Sequence, residues 1–267
     1  MASTQSVLLG LVAGVASGVA AGTINGFLVA VLGLNPIVVT LGFLSVWGGG
    51  GAMLLTGGRT ITMSELPPGF GQLGALTIGP VPLRLVLFVV AIAITWYMLS
   101  RNRVGRAIYA IGGSERAAYL MGLRVVRVRF SLYVVTGACA AIAGIMLAAK
   151  VQSVSPATGL NMEMSALTVV LLGGVAFAGG SGRVSGVVAG LLFFGVLRNG
   201  LVFLQASPFL QTVIVGLTLV IAVALDKSIQ QIVAKSWEAR GRAALARSQS
   251  AASEEQLDTI SSRRPAA

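Results

Sequence analysis

Histidine is absent from the 267-residue sequence, and cysteine occurs once, at Cys139. These two residue types supply most zinc and haem ligands, so no metal site, haem or other cofactor is expected. One cysteine also excludes an intrachain disulfide. The phosphate-binding pattern G-x-x-x-x-G-K-[ST] is missing as well, so the chain is not expected to hydrolyse ATP or to act as an enzyme by itself.

Charge is scarce too. Only 10% of the residues are charged, whereas a soluble domain carries about 25%. Hydrophobic residues make up 55% of the chain, and the mean hydropathy is +0.89. A chain this apolar cannot cover itself with polar surface in water, so its natural solvent is a lipid membrane.

Acidic residues are the rarest charges, with 8 Asp and Glu against 19 Lys and Arg and a net charge of +11. The basic residues stand between and after the apolar blocks, so the positive-inside rule explains them better than nucleic-acid binding, which is not expected. No carboxylate falls at the centre of a predicted span, which disfavours proton-coupled transport.

The apolar blocks predict an all-α protein, a polytopic bundle of about seven transmembrane helices, since one span needs about 20 residues. We divide the chain into a transmembrane domain over 1–227 and a polar, disordered cytoplasmic tail over 228–267. The predicted spans lie near 7–31, 36–56, 83–100, 130–149, 165–180, 184–204 and 209–225.

Arginine sets the predicted orientation. Residues 101–129 contain seven arginines and one acid, Glu115, and the tail after Asp226 carries seven more Lys or Arg. Both segments are therefore expected in the cytoplasm, and the loops over 57–82 and about 150–164 outside. Three spans before the basic loop then leave the N-terminus outside. That arrangement is uncommon without a signal peptide, so an N-terminally shortened chain is expected.

Local signals in the basic loop predict a short helix near 115–121. Ser114 is a good N-cap, Glu115 suits the positive end of a helix dipole, and Gly122 is a plausible stop. Small alanines would then be exposed for docking. The alternative is an ordered loop whose arginines only fix topology. Arg84 and Glu163 fall at the ends of predicted spans, and Arg198 is the only charge inside one. Arg198 either snorkels to the interface or lines a pore.

Several segments of the sequence resemble one family of membrane proteins. The matching pieces are "GTINGFLVAVLGLNPIVVTLGFL", which contains Asn25, "LLTGGRTI" at 54–61, "RVGRAIYAIGGSERAAYLMGL" at 103–123 and "GLNMEMSALTVVLLGGVAFAGGSGRVSGVVAG" at 159–190. In their order and spacing they resemble the inner-membrane permeases of ribose-type ABC sugar importers, within a superfamily that includes branched-chain amino acid permeases.

The resemblance implies a subunit that passes a monosaccharide, of ribose or xylose type, through the inner membrane. It implies a second permease copy, a separate ATPase subunit on the cytoplasmic face and a sugar-binding protein outside. It also implies a coupling helix that contacts the ATPase. The positions that fall on this family pattern are Gly105, Arg106, Gly112, Gly113, Glu115, Ala117, Ala118 and Gly122.

The sequence departs from the family at several places. About three N-terminal spans of a total of about ten are expected to be missing. Ser114 stands where Asn is common, Ser165 where Asp is common, and Arg198 where a neutral polar residue is usual. We assign the translocation path to Asn25, Glu163, Ser165 and Arg198. The alternatives are a secondary transporter or channel, and a shortened permease that no longer transports.

Overall fold

The computed structural model describes residues 6–66, 69–177 and 179–224. The helices there are α1 Val7–Gly26, α2 Pro36–Phe43, α3 Ala52–Thr56, α4 Phe70–Ala75, α5 Leu83–Arg101, α6 Arg103–Gly113, α7 Glu115–Leu120, α8 Val125–Val151, α9 Met162–Leu172, α10 Val184–Phe203 and α11 Pro208–Ala224. The strands are β1 Ile61–Thr62, β2 Thr77–Ile78, β3 Val81–Pro82 and β4 Ser153–Val154. The chain is therefore an all-α bundle with short strands in its loops, as predicted. The proposed tail lies outside the described residues.

Two of the long helical segments contain π-helical turns. α1 continues through the π-turn Phe27–Val31, and α2 reaches α3 through the π-helical stretch Leu44–Gly51. The predicted break between them is confirmed at Asn35, whose Oδ1 accepts the Ile37 N–H at 2.9 Å. Pro36 follows at the first helical position, where its missing N–H leaves no bond unmade.

Among the described residues, five helical segments are long and apolar enough to cross a membrane: Val7–Val31, Pro36–Leu54, Leu83–Arg101, Val125–Val151 and Val184–Phe203. They correspond to five of the seven predicted spans. The seventh prediction, near 209–225, falls on the shorter apolar helix α11.

The prediction of a full span near 165–180 is wrong, because the helix observed there is shorter. α9 ends at Leu172, followed by Gly173 and by Gly174 in a left-handed conformation with φ of +76°. Eleven helical residues rise about 16 Å, which is roughly half of a bilayer core about 30 Å thick. α8 also differs from the prediction, because it starts at Val125 and takes in the last arginines of the basic loop.

Helices α1 and α8 pack antiparallel with their backbones in contact. A methyl group on Gly18 would lie 2.5 Å from the Gly137 carbonyl oxygen and from the Ala141 Cβ, and one on Gly22 would lie 2.5 Å from the Tyr133 carbonyl oxygen. The α1 glycines of this contact repeat every four residues, at Gly14, Gly18, Gly22 and Gly26. Small residues at this spacing allow helices in a membrane to approach closely.

The loops between the helices lie at two opposite ends of the bundle. At one, β1 pairs antiparallel with β4, with Ile61 opposite Val154, so the predicted outer loops meet there. Beneath them Phe70 of α4 packs with Ala148 and Ala149 of α8. We call this the hairpin end. At the other, the Tyr109 hydroxyl donates to the Gly182 carbonyl at 3.0 Å. We call it the basic end, because it carries the arginines of the predicted cytoplasmic loop.

Replacing Gly137 by leucine is expected to destabilise the fold. The added side chain has no room against the α1 backbone, and overpacking of this kind costs about 1–3 kcal/mol. Gly144 lies on the same helix, and a methyl group added there would have nothing within 4 Å of it, so Gly144→Leu is the matched control. Thermal unfolding of the purified protein in detergent should show a lower Tm for Gly137→Leu alone. Equal Tm values for both variants would contradict the packing.

Candidate functional site

The predicted coupling segment is a pair of helices, α6 and α7, at the basic end. Sequence reasoning missed α6. It begins after Asn102, whose Oδ1 accepts the Val104 N–H at 3.4 Å, and it buries Gly105 and Ala107. The signal was available in the capping Asn102 and in apolar residues at helical spacing, Val104, Ala107, Ile108 and Ile111. Arg106, on the opposite side of α6, is exposed.

The shorter helix, α7, forms where the sequence predicted it. The Ser114 Oγ accepts the Ala117 N–H at 3.3 Å, and Glu115 lies in the first turn. Gly122 adopts φ of +79°, and its N–H donates to the Tyr119 carbonyl at 2.9 Å. This left-handed residue ends the helix, as a C-terminal glycine commonly does.

The expected exposure of the alanines is correct for Ala117 and wrong for Ala118. Ala118 is 0% exposed, because it packs inside this chain. The large apolar side chains exposed on α7 are those of three residues at its C-terminal end. Tyr119, Leu120 and Met121 are 72%, 78% and 68% exposed. We call these three residues the α7 platform.

Three contacts fix the coupling segment to the spans. Arg129 of α8 pairs with Glu115 of α7 at 2.6 Å. A methyl group on Gly112 would lie 2.8 Å from the Gly180 Cα, so α6 touches the turn before α10. A methyl group on Gly105 would lie 2.6 Å from the Leu99 Cα, so α6 also packs on the end of α5. Of these contacts, α7 itself makes the one with α8, and α6 makes those with the end of α5 and with the turn before α10.

A second candidate site lies where α9, α10 and α11 meet. They line a partly open cavity of about 330 Å³. Ser165 and Arg198, 33 positions apart in sequence, both lie on it, and Arg198 is exposed. The other residues around it are Leu160, Asn161, Met162, Met164, Leu201, Pro208, Gln211, Thr212, Val215, Gly216 and Leu219. Neither of the other two predicted path residues, Asn25 and Glu163, lines this cavity.

Asn25 and Glu163 are placed elsewhere. Asn25 lies on α1 beside the contact with α8, and its Oδ1 is buried with no hydrogen-bond partner among the described residues. Glu163 lies in the first turn of α9. The structure therefore brings together two of the four residues predicted for the translocation path, Ser165 and Arg198.

Comparison with known proteins identifies the family. A family model described as the permease component of branched-chain amino acid transport systems matches residues 1–223. The chain belongs to this family. The resemblance inferred from the sequence motifs is thereby confirmed, and the apolar helices are those of a transport permease.

Three of the similar curated relatives are named as permeases for sugars. The ribose import permease of Bacillus subtilis is 36% identical over 203 residues, which is 76% of this chain and 63% of the relative. The L-arabinose permease of Escherichia coli is 37% identical over 228 residues, 85% of this chain and 69% of the relative. The D-allose permease of Escherichia coli is 32% identical over 237 residues, 86% of this chain and 70% of the relative.

The match to the Bacillus relative thus spans less than two thirds of that protein's length. No solved structure matches the chain.

The contact between α6 and the turn before α10 predicts different roles for two neighbouring glycines. Gly112→Ala is expected to lower the free energy of unfolding by about 1–3 kcal/mol, since its methyl group would meet the Gly180 backbone. Gly113 has nothing within 4 Å of such a methyl group. Gly113→Ala is therefore expected to be neutral or stabilising by at most about 1 kcal/mol. Unfolding curves in detergent check this, and an equal loss in both variants would count against the contact.

Proposed function

We propose that this chain is the membrane-spanning permease subunit of an ATP-driven importer of a monosaccharide. The family supports a transport subunit, and the names of the relatives support a sugar such as ribose, arabinose or allose. ATP hydrolysis belongs to a separate ATPase subunit. A solute-binding protein at the hairpin end and a second permease copy complete the proposed importer.

The observation that carries the proposal is the α7 platform. Its three large apolar side chains are exposed at the end of the molecule that holds the arginines. If that end faces the cytoplasm, as the positive-inside rule requires, these side chains meet water rather than lipid. Contiguous exposed apolar side chains are typical of a surface that another protein covers, and aromatic residues and Met are enriched in such interfaces.

The attachment of α7 supports a coupling role. A docked subunit that pulled on α7 would pull on α8 through the Glu115–Arg129 pair. It would also move the turn at Gly180 through the contact with Gly112. Closely packed elements move as rigid bodies and do not deform continuously. A displacement of the platform would therefore be passed to α8 and to the start of α10, one of the three helices that line the cavity.

The platform predicts a specific loss of function. Leu120→Asp is expected to abolish copurification of the ATPase subunit and ATP-dependent sugar uptake, because it places a charge in an apolar interface. Leu204, 79% exposed, follows α10, so Leu204→Asp matches it in exposure. Cells that carry each variant in the assembled importer are assayed for uptake and for copurification.

The control should keep copurification of the ATPase subunit, and both variants should insert into the membrane. ATPase association and uptake that survive Leu120→Asp would contradict the proposed function. Uptake that never depends on ATP would favour a secondary transporter or channel. Ala118→Trp is not a clean test, because Ala118 is buried within the chain.

The orientation gives a separate prediction. In a Cys139→Ser background, a cysteine at Gly113 should be protected from impermeant thiol reagents in intact cells, since it lies at the basic end. A cysteine at Ala157, in the loop after β4 at the hairpin end, should be labelled. Both positions are exposed in the structure, so a difference reports the side of the membrane. Labelling at position 113 from outside would contradict the proposed topology.

A further inference from the structure

Among the described residues that line the cavity between α9, α10 and α11, one has an ionisable side chain, Arg198. No carboxylate among the described residues lies within salt-bridge distance of its guanidinium. The part of the chain that the structure describes contains three acidic residues, and two of them already pair with other arginines. Glu65 pairs with Arg59 at 3.0 Å and Glu115 with Arg129. Glu163, the third, is outside the cavity lining. No carboxylate in the part of the chain that the structure describes therefore compensates the positive charge of the cavity.

The position of Arg198 makes this charge significant. It lies in the C-terminal half of α10, a helix that is otherwise apolar or small over most of its length. A cation in such a segment is costly, and it usually faces a polar cavity or a counter-ion. An Arg guanidinium binds carboxylate and phosphate groups through two parallel hydrogen bonds.

The neutral polar side chains of the cavity offer hydrogen-bonding groups rather than charge. The Ser165 hydroxyl donates to the Asn161 carbonyl at 3.3 Å, and the Thr212 hydroxyl to the Pro208 carbonyl at 3.0 Å. The Gln211 Nε2 donates to the Ala206 carbonyl at 3.0 Å. With their single donors engaged within the protein, the Ser165 and Thr212 hydroxyl oxygens remain as acceptors, and Gln211 keeps its Oε1 as an acceptor and one N–H as a donor. Such acceptors suit the hydroxyl protons of a sugar.

We infer that the cavity binds an anionic monosaccharide, whose carboxylate or phosphate pairs with Arg198 and whose hydroxyls donate to Ser165, Gln211 and Thr212. A volume of about 330 Å³ falls within the range of roughly 300–1,000 Å³ that is usual for small-molecule sites. The inference rests on the proposed function, which it narrows from monosaccharides in general to those with an acidic group.

The test measures binding to the purified full chain in detergent by equilibrium dialysis. The probes are radiolabelled glucuronate, glucose 6-phosphate and glucose, which share a ring and differ in charge. We expect at least one anionic probe to bind about tenfold or more tightly than glucose, since a hydrogen bond to a charged group contributes about 1.5–3 kcal/mol. Preference for glucuronate over glucose 6-phosphate, or the reverse, identifies the acidic group.

Variants separate the role of Arg198 from general stability. Arg198→Gln should abolish the preference for the anion, and Arg198→Lys should keep part of it, because the charge remains while the paired hydrogen bonds are lost. Arg84→Gln, on α5 and away from the cavity lining, is the control and should retain the full preference. Thermal unfolding of each variant establishes that it is folded.

Glucose that binds as tightly as both anions would overturn the inference, as would no binding of any probe or a preference that survives Arg198→Gln. These outcomes are distinct from failure of the proposed function. If the purified chain prefers the anion in dialysis but the assembled importer shows no ATP-dependent uptake, the proposed importer function is contradicted and the proposed anion site still stands. If the importer takes up only neutral sugars in an ATP-dependent way, the proposed function stands and the anion site is contradicted.

Discussion

The backbone contact between α1 and α8 is the interaction on which the rest of the structure depends. Four glycines of α1 at four-residue spacing let the two helices approach until a single added methyl group would clash. In lipid there is little hydrophobic driving force between helices, so close packing supplies much of the attraction. α8 reaches both ends of the bundle, and this contact therefore positions elements at each of them.

At the hairpin end α8 holds α4 through Ala148 and Ala149, and it leads into β4, which pairs with β1. At the basic end its first turns carry Arg129, which binds Glu115 of α7. The same helix thus joins the proposed docking platform to the opposite loops. An element that is fixed at both ends can transmit a displacement along its length as a rigid body.

The sequence predicted the parts that depend on local signals. Ser114, Glu115 and Gly122 mark α7 almost to the residue, since caps and left-handed glycines act within one turn. α6 could also have been predicted, from Asn102 and the spacing of its apolar residues. The extent of α9 was harder, because the apolar run continues past Leu172. The helix ends there at Gly173 and Gly174, where the chain packs against the start of α10.

The site was less predictable than the fold. Ser165 and Arg198 lie on different helices, and only packing of α9, α10 and α11 brings them to one cavity. The same kind of packing buries Ala118, which composition alone suggested to be exposed. Exposure is a property of the neighbours of a residue rather than of its type, so the platform Tyr119, Leu120 and Met121 became visible only in the structure.

The most direct test of the account is whether α7 touches the ATPase. In the Cys139→Ser background, cysteines placed at Tyr119 and at Phe203, which are exposed and lie in different parts of the fold, would be treated with a short thiol crosslinker in the assembled importer. The account predicts a crosslink to the ATPase subunit from position 119 and none from position 203. A crosslink from position 203 alone, or from neither position, would contradict it.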